Sequence, residues 1–280
     1  MSQISVKNIK NLEQQTPSED AEKMLPLENG DRLSQPEFHE RYLAMRHVKK
    51  AELIEGVVYM PSPVRFEPHA EPHSNIIGWL WNYRIATPGV RLGDNATVFL
   101  DGDNEPQPDA LLRIENGGNS RITDDDYVQG APELIVEIAA STASYDLHDK
   151  KKAYRRNGVQ EYIVWQINKK RLYWFRLDKG KYVSIPPDEN GVVHSVVFPG
   201  LRLAVAALLE GDLAQVMRVL QEGINSAEHG EFVKFLGGWN GVYTNKTRLN
   251  QRNGVFDRFW AVTRLMGKKP GFWPPVRPEL

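Results

Sequence analysis

Asp109 in QPDALLRI and Glu137 in PELIVEIAA are single carboxylates set in short apolar segments, and the lysine-rich DLHDKKKAY follows soon after the second. A carboxylate buried in a strand without a partner is costly, so two of them need a common reason. Hard oxygen ligands suit a divalent cation such as Mg²⁺, which takes one or two protein carboxylates and keeps several waters. Lysines close by suit a phosphate. Residue types and order therefore suggest a site that holds a divalent cation and acts on a phosphate group.

Side chains alternate across a strand. In PELIVEIAA, Glu137 shares a face with Ile135 and Ala139; in PDALLRI, Asp109 shares one with Leu111 and Arg113. If the two strands are neighbours, the carboxylates can converge on one side of a sheet.

LSQPEFHERYLAM opens the folded part as a short helix, with Ser34 able to cap it and Pro36 in its first turn. AELIEGVVYM reads as a β-hairpin turning at Glu55-Gly56. PHSNIIGWLWNYRIAT carries Ile76, Ile77, Leu80, Trp81 and Ile85 at helical spacing and should end before Pro88-Gly89. A strand, a long polar connection containing Asp124, Asp125 and Asp126, and the two carboxylate strands make up the next stretch. The three aspartates read as a solvated acidic turn. Asp146 is expected to cap the lysine-rich helix, which Gly158 stops. EYIVWQI and RLYWFRL are further strands, with KYVSIPP and VVHSVVFP continuing the sheet edge. LRLAVAALLEGDLAQVMRVLQEGI reads as helical.

Composition narrows the function class. A net charge of -1 gives no global basic character, so any nucleic-acid contact must be a local basic surface. With no cysteine, disulfides, thiolate metal sites and cysteine nucleophiles are excluded. No HExxH cluster, GxSxG elbow, P-loop or dinucleotide fingerprint is present, which disfavours a small-molecule hydrolase. No apolar run approaches the ~20 residues of a membrane span, and the N-terminus lacks the apolar core of a signal peptide. The expected location is cytoplasmic.

Pro108-Asp109, Glu137 in LIVEIAAST, YDLHDKKKAY and GVQEYIVW together resemble the Uma2-like (DUF820) family of the PD-(D/E)xK nuclease superfamily. The resemblance extends over roughly 33–236. It implies an α/β (α+β) fold, a restriction-endonuclease-like mixed β-sheet core flanked by helices. It also implies Mg²⁺ (or Mn²⁺)-dependent endonucleolytic hydrolysis of DNA, with Asp109 and Glu137 as metal ligands and Lys150 as the third catalytic residue. The superfamily usually places a lysine two residues after the strand carboxylate, and here that slot is Ala139. In the Uma2-like pattern the lysine moves to the following helix, where Lys150 matches; Lys151 and Lys152 are neighbouring alternatives on other helix faces. His73 and Glu55 match auxiliary positions, with helix capping and an ordinary turn charge as their plainer roles. Tyr154 is expected to pack under the helix.

The chain thus divides into a polar N-terminal extension (1–32), a nuclease-like domain (33–236) and a basic, aromatic tail (237–280) read as irregular. DNA is the expected partner, with no membrane association and a homodimer left open. Ala139 keeps a second reading alive, a catalytically inactive nuclease-fold module that binds nucleic acid or protein.

Overall fold

The computed structural model describes residues 24–60, 65–140 and 145–238. Helix α1 (Gln35–Ala44) precedes a hairpin of β1 (Glu52–Ile54) and β2 (Val57–Tyr59). Helix α2 (Glu71–Ala86) leads into β3 (Val90–Asp94), β4 (Val98–Phe99), β5 (Ala110–Ile114), β6 (Ser120–Ile122), β7 (Val128–Gly130) and β8 (Leu134–Ala139). Helix α3 (Lys151–Asn157) crosses over to β9 (Glu161–Gln166), followed by β10 (Arg171–Asp178), β11 (Lys181–Ser184), β12 (Val192–His194) and β13 (Arg202–Ala204). Three helices close the described chain: α4 (Val205–Glu210), α5 (Leu213–Ile224) and α6 (Ala227–Gly238).

The central sheet is mixed, in the order β11-β10-β9-β8-β5-β3. β8 and β9 pair parallel, which requires the α3 crossover; the other neighbours are antiparallel. β8 and β9 are buried along their whole length, hence their near-continuous apolar sequences.

Alternation divides the core. Ala110, Leu112, Leu134, Val136 and Ile138 face one side, packed with Trp79, Leu80 and Tyr83 of α2 and Leu220 and Phe232 of α5 and α6. Leu111, Ile135, Ala139 and Val164 face the other, packed with Tyr154 and Val159 around α3. Asp109 and Glu137 belong to this second face, so the expectation of neighbouring strands with both carboxylates on one side agrees with the structure.

Several local expectations are corrected. α2 buries Ile76, Trp79, Leu80 and Tyr83, whereas Trp81 and Ile85 are exposed. Helical spacing with Ile77 and Ile85 selects Trp81, but Trp79 and Tyr83 bury their rings while their polar tips donate to Arg202 O (3.0 Å) and Pro199 O (2.9 Å). β12 pairs with β13 in a separate two-stranded sheet instead of extending the central edge. The segment read as one helix from residue 201 is a strand followed by two helices, interrupted at Gly211 (φ 82°) and Asp212, whose carboxylate caps α5 through Gln215 N. The long polar connection contains the β6–β7 hairpin, with Asp124, Asp125 and Asp126 exposed in its turn as expected. Ser34 makes no side-chain cap.

The start of the folded region lies earlier than residue 33. Leu27 is buried with Phe38, Leu53 and Val58, and Arg32 bridges to Val57. Residues 1–23 and 239–280, which hold most of the expected extension and tail, lie outside the described residues.

One buried carboxylate fastens the β12–β13 hairpin to the sheet. Glu161 accepts from Ser195 Oγ (2.8 Å), Trp174 Nε1 (3.0 Å), Val196 N and Val197 N (3.0 Å). Burial pushes it up to about 7, against the pull of these donors. Glu161→Ala would strand all of them in the core, at a cost of about 3–5 kcal/mol. A urea midpoint close to that of wild type would show that the hairpin is fastened elsewhere.

Candidate active site

Asp109 immediately precedes β5. Extending the register Ala110↔Val136 by one residue sets Asp109 opposite Glu137, and directly opposed residues share a face. The backbone couples them as well: Ile138 N donates to Asp109 Oδ2 at 2.7 Å. Both side chains are buried.

Lys150 reaches this face from the turn that leads into α3. Its Nζ lies 3.0 Å from Glu137 Oε1, 2.9 Å from Glu52 Oε1 and 3.9 Å from Asp146 Oδ1, in a fully buried setting. Tyr154, one turn on, donates its hydroxyl to Glu137 Oε1 at 2.7 Å while packing under the helix. Ala139 occupies the slot two residues after Glu137 and fills the apolar cluster beneath α3. The lysine just ahead of α3 therefore brings an ammonium beside Glu137, over a distance its flexible stem can span.

Asp109 has its own basic partners. Its Oδ1 is 3.4 Å from Lys50 Nζ and 3.4 Å from His69 Nε2. His73 Nε2 sits 2.8 Å from the Asp109 carbonyl oxygen and 3.1 Å from Asp94 Oδ1, so it braces the entry to β5 rather than meeting the carboxylate. His69 and Lys150 both lie on π-helical turns, Phe66–Ala70 and Asp146–Lys150, that lead into α2 and α3. Such turns recur at functional sites.

The two carboxyls are driven apart electrostatically. Burial alone would raise Asp109, but the His69 hydrogen bond and the charges of Lys50, His69 and Lys150 hold it well below its ordinary range. Burial pushes Glu137 up to about 8, with Asp109, Asp146 and Glu52 adding repulsion against the pull of Lys150. Lys150 in turn is raised well above its usual value, its burial outweighed by Glu137, Glu52 and Asp146.

Asp109, Glu137 and Lys150 are thus brought together, and His73 lies at their margin. Glu55 is elsewhere: at the hairpin turn (φ 52°) it pairs with Lys152 (2.6 Å) and Arg156 (2.9 Å), pinning α3 to the hairpin from outside. Asp146 is not the expected helix cap, since its buried side chain faces Lys150. Sequence reasoning misses Glu52. Its signal is the one that exposes the other two, a carboxylate inside an apolar strand, AELI. Lys50 and His69 precede strand and helix without any periodic signature.

The donor set fits a hard divalent cation. Asp109 and Glu137 offer opposed carboxylate oxygens, and the Tyr145 hydroxyl is buried with no hydrogen-bond partner among the described residues. No three His, Asp or Glu side chains among those residues form a metal-holding group. Such a site would therefore rest on two carboxylates, which is ordinary for Mg²⁺.

Comparison with known proteins gives a family and a structural neighbour. No curated protein matches. Among solved structures the chain is similar to one described as a putative nuclease belonging to DUF820 from Anabaena variabilis. The two are 15% identical over 57% of this chain and 89% of that one, with a TM-score of 0.43. The model of the Uma2 family, described as "putative restriction endonuclease", matches residues 36–206, more than half of the chain. The match takes in every strand from β1 to β13 and all the residues of the carboxylate–lysine cluster, and the chain belongs to the Uma2 family.

Proposed function

We propose that this protein is an endonuclease that hydrolyses phosphodiester bonds in DNA with the help of Mg²⁺ or Mn²⁺. The observation that carries the reading is the charge imbalance at the centre of the site. Four buried carboxylates, Glu52, Asp109, Glu137 and Asp146, act on one another around the buried ammonium of Lys150, with Lys50 and His69 beside Asp109. Burial and repulsion from its neighbours make ionised Glu137 expensive, which is why it rises to about 8, and a divalent cation held by Asp109 and Glu137 would offset that cost.

In this reading Asp109 and Glu137 hold the cation. When bound, that ion supplies Lewis acidity toward the phosphate and its attacking water. Lys150 positions the nucleophile or stabilises charge developing on phosphorus oxygens. Tyr154 and Glu52 fix Lys150 and Glu137 in register, and Glu55 anchors the helix that follows the lysine.

A second reading, a catalytically silent module that binds nucleic acid, is favoured by Ala139 and by the engagement of Glu137 Oε1 with both Lys150 and Tyr154. The two separate in one assay. Purified protein is incubated with labelled single- and double-stranded DNA in Mg²⁺, Mn²⁺ or EDTA. Cleavage that EDTA removes is expected. Binding without cleavage in either metal selects the silent module, and neither binding nor cleavage ends both readings.

A further inference from the structure

We infer that the surface groove between the outer face of α3 and the edge strand β11 binds the sugar–phosphate backbone of the nucleic-acid substrate. This inference rests on the function proposed above and adds to it a place where the substrate is held.

The groove encloses about 600 Å³ and is lined by Lys151, Lys152, Arg155, Lys181 and Tyr182, with Asp149 as its one carboxylate. A chain of net charge -1 does not put four cations in one depression by composition alone. Two are on one side of α3, since Lys151 and Arg155 are four residues apart and share a face. Lys181 faces them from β11, which pairs only with β10 and ends the sheet.

The charges are mostly unanswered by carboxylates. Lys152 is paired with Glu55 (2.6 Å). Arg155 donates to the Gly180 carbonyl (2.9 Å), Lys151 lies 3.4 Å above the Phe175 ring, and Lys181 makes no ion pair among the described residues. Cations crowded this way repel one another and gain from a polyanion that displaces its own counterions.

Position favours a nucleic-acid strand over an acidic peptide. The inner face of α3 and its leading turn carries Lys150 and Tyr154 to Glu137, while the outer face carries Lys151 and Arg155 to the groove. A helix is about 10–12 Å across. That spans about three phosphates of one strand at ~3.4 Å of axis each. A backbone with one phosphate at the carboxylates therefore has others within reach of the groove.

The test uses the full chain carrying Glu137→Gln, so that binding is measured without cleavage. Fluorescence anisotropy of a labelled DNA oligonucleotide is followed from about 50 to 200 mM salt, the range over which phosphate contacts are most visible. Adding Lys151→Gln and Lys181→Gln should weaken binding about tenfold or more, and lower the slope of log K against log salt by about two, one per lost phosphate contact. Adding Arg218→Gln and Lys234→Gln instead removes the same charge from α5 and α6 on the other side of the sheet, and should change neither. In the otherwise wild-type enzyme the groove pair should raise KM and leave kcat unchanged. If both pairs behave alike while wild type still cleaves DNA, the groove assignment is wrong and the nuclease reading stands. If the groove pair lowers kcat with KM unchanged, or if poly-glutamate competes better than DNA, the assignment is also overturned. A wild type that neither binds nor cuts DNA overturns both.

Discussion

Glu137→Gln is expected to abolish metal-dependent DNA cleavage while leaving the fold intact, and Asp109→Asn should do the same. Each change keeps the size and shape of the side chain and removes the charge that would hold the cation. Losing the charge stabilisation of a bound metal costs several kcal/mol in the transition state, a rate loss on the order of 10³ or more. The two substitutions differ in their side effects. In Asp109→Asn the remaining amide oxygen can still accept from Ile138 N, but the attraction of Lys50 and His69 is given up. Glu137→Gln relieves repulsion from Asp109, Asp146 and Glu52 while weakening the bond to Lys150. Glu137→Gln should therefore melt near wild type, and Asp109→Asn slightly below it. Plasmid nicking in Mg²⁺ and Mn²⁺, with calorimetric titration of the metal, measures both parts. Full cleavage by Glu137→Gln would remove Glu137 from the site. Lost cleavage with unchanged metal affinity would leave Glu137 in the site but not as a ligand.

The carboxylate centre is legible in the sequence because strand alternation is a strict period. Once Asp109 and Glu137 are placed in neighbouring strands, their shared face follows, and the register brings them opposite. Lys150 is legible only through the family pattern, because nothing in DKKKAY itself distinguishes the inward lysine from its neighbours. Glu52 carries the same signal as Glu137 but sits in a three-residue strand, too short for a periodicity to be seen. Lys50 and His69 reach Asp109 from segments distant in sequence, and such contacts are set by packing rather than by local pattern. The inward face of α2 misleads for a related reason. Trp79 and Trp81 are equivalent on a hydrophobicity scale, and only the partner carbonyl of Arg202 decides which ring is buried.

Lys150→Met should both slow cleavage and destabilise the fold, and the loss of stability should depend on pH and metal in a way that the loss of a surface lysine does not. The ammonium lies within 3.0 Å of Glu137 and 2.9 Å of Glu52, with Asp146 at 3.9 Å. Methionine keeps most of the stem but leaves three buried carboxylates without the ammonium between them. Breaking a buried ion pair in this way costs about 3–5 kcal/mol. Glu137 relieves the cost by holding its proton more tightly, so its folded-state pKa rises further above its unfolded one. A carboxyl raised on folding binds more protons in the native state, and stability then falls as pH rises through the window between the two values. Glu137 already sits at about 8 with the lysine present. The variant's deficit should therefore be smaller near pH ~6 and grow as pH rises above ~8, where Glu137 ionises in the wild type and is held protonated in the variant. Mg²⁺ should restore part of it by binding Glu137 together with Asp109, raising the melting temperature of Lys150→Met more than that of wild type. Lys151→Met offers the contrast: its ammonium meets the Phe175 ring and pairs with no carboxylate among the described residues, so it should cost about 1 kcal/mol or less with no such pH dependence. Denaturant midpoints at the two ends of that pH range, with and without Mg²⁺, test the comparison. A Lys150→Met protein as stable as wild type at the upper end without metal would mean Glu137 is not ionised beside that lysine, and the proposed charge imbalance would lose its basis. Cleavage lost in Lys151→Met but kept in Lys150→Met would move the catalytic ammonium by one residue.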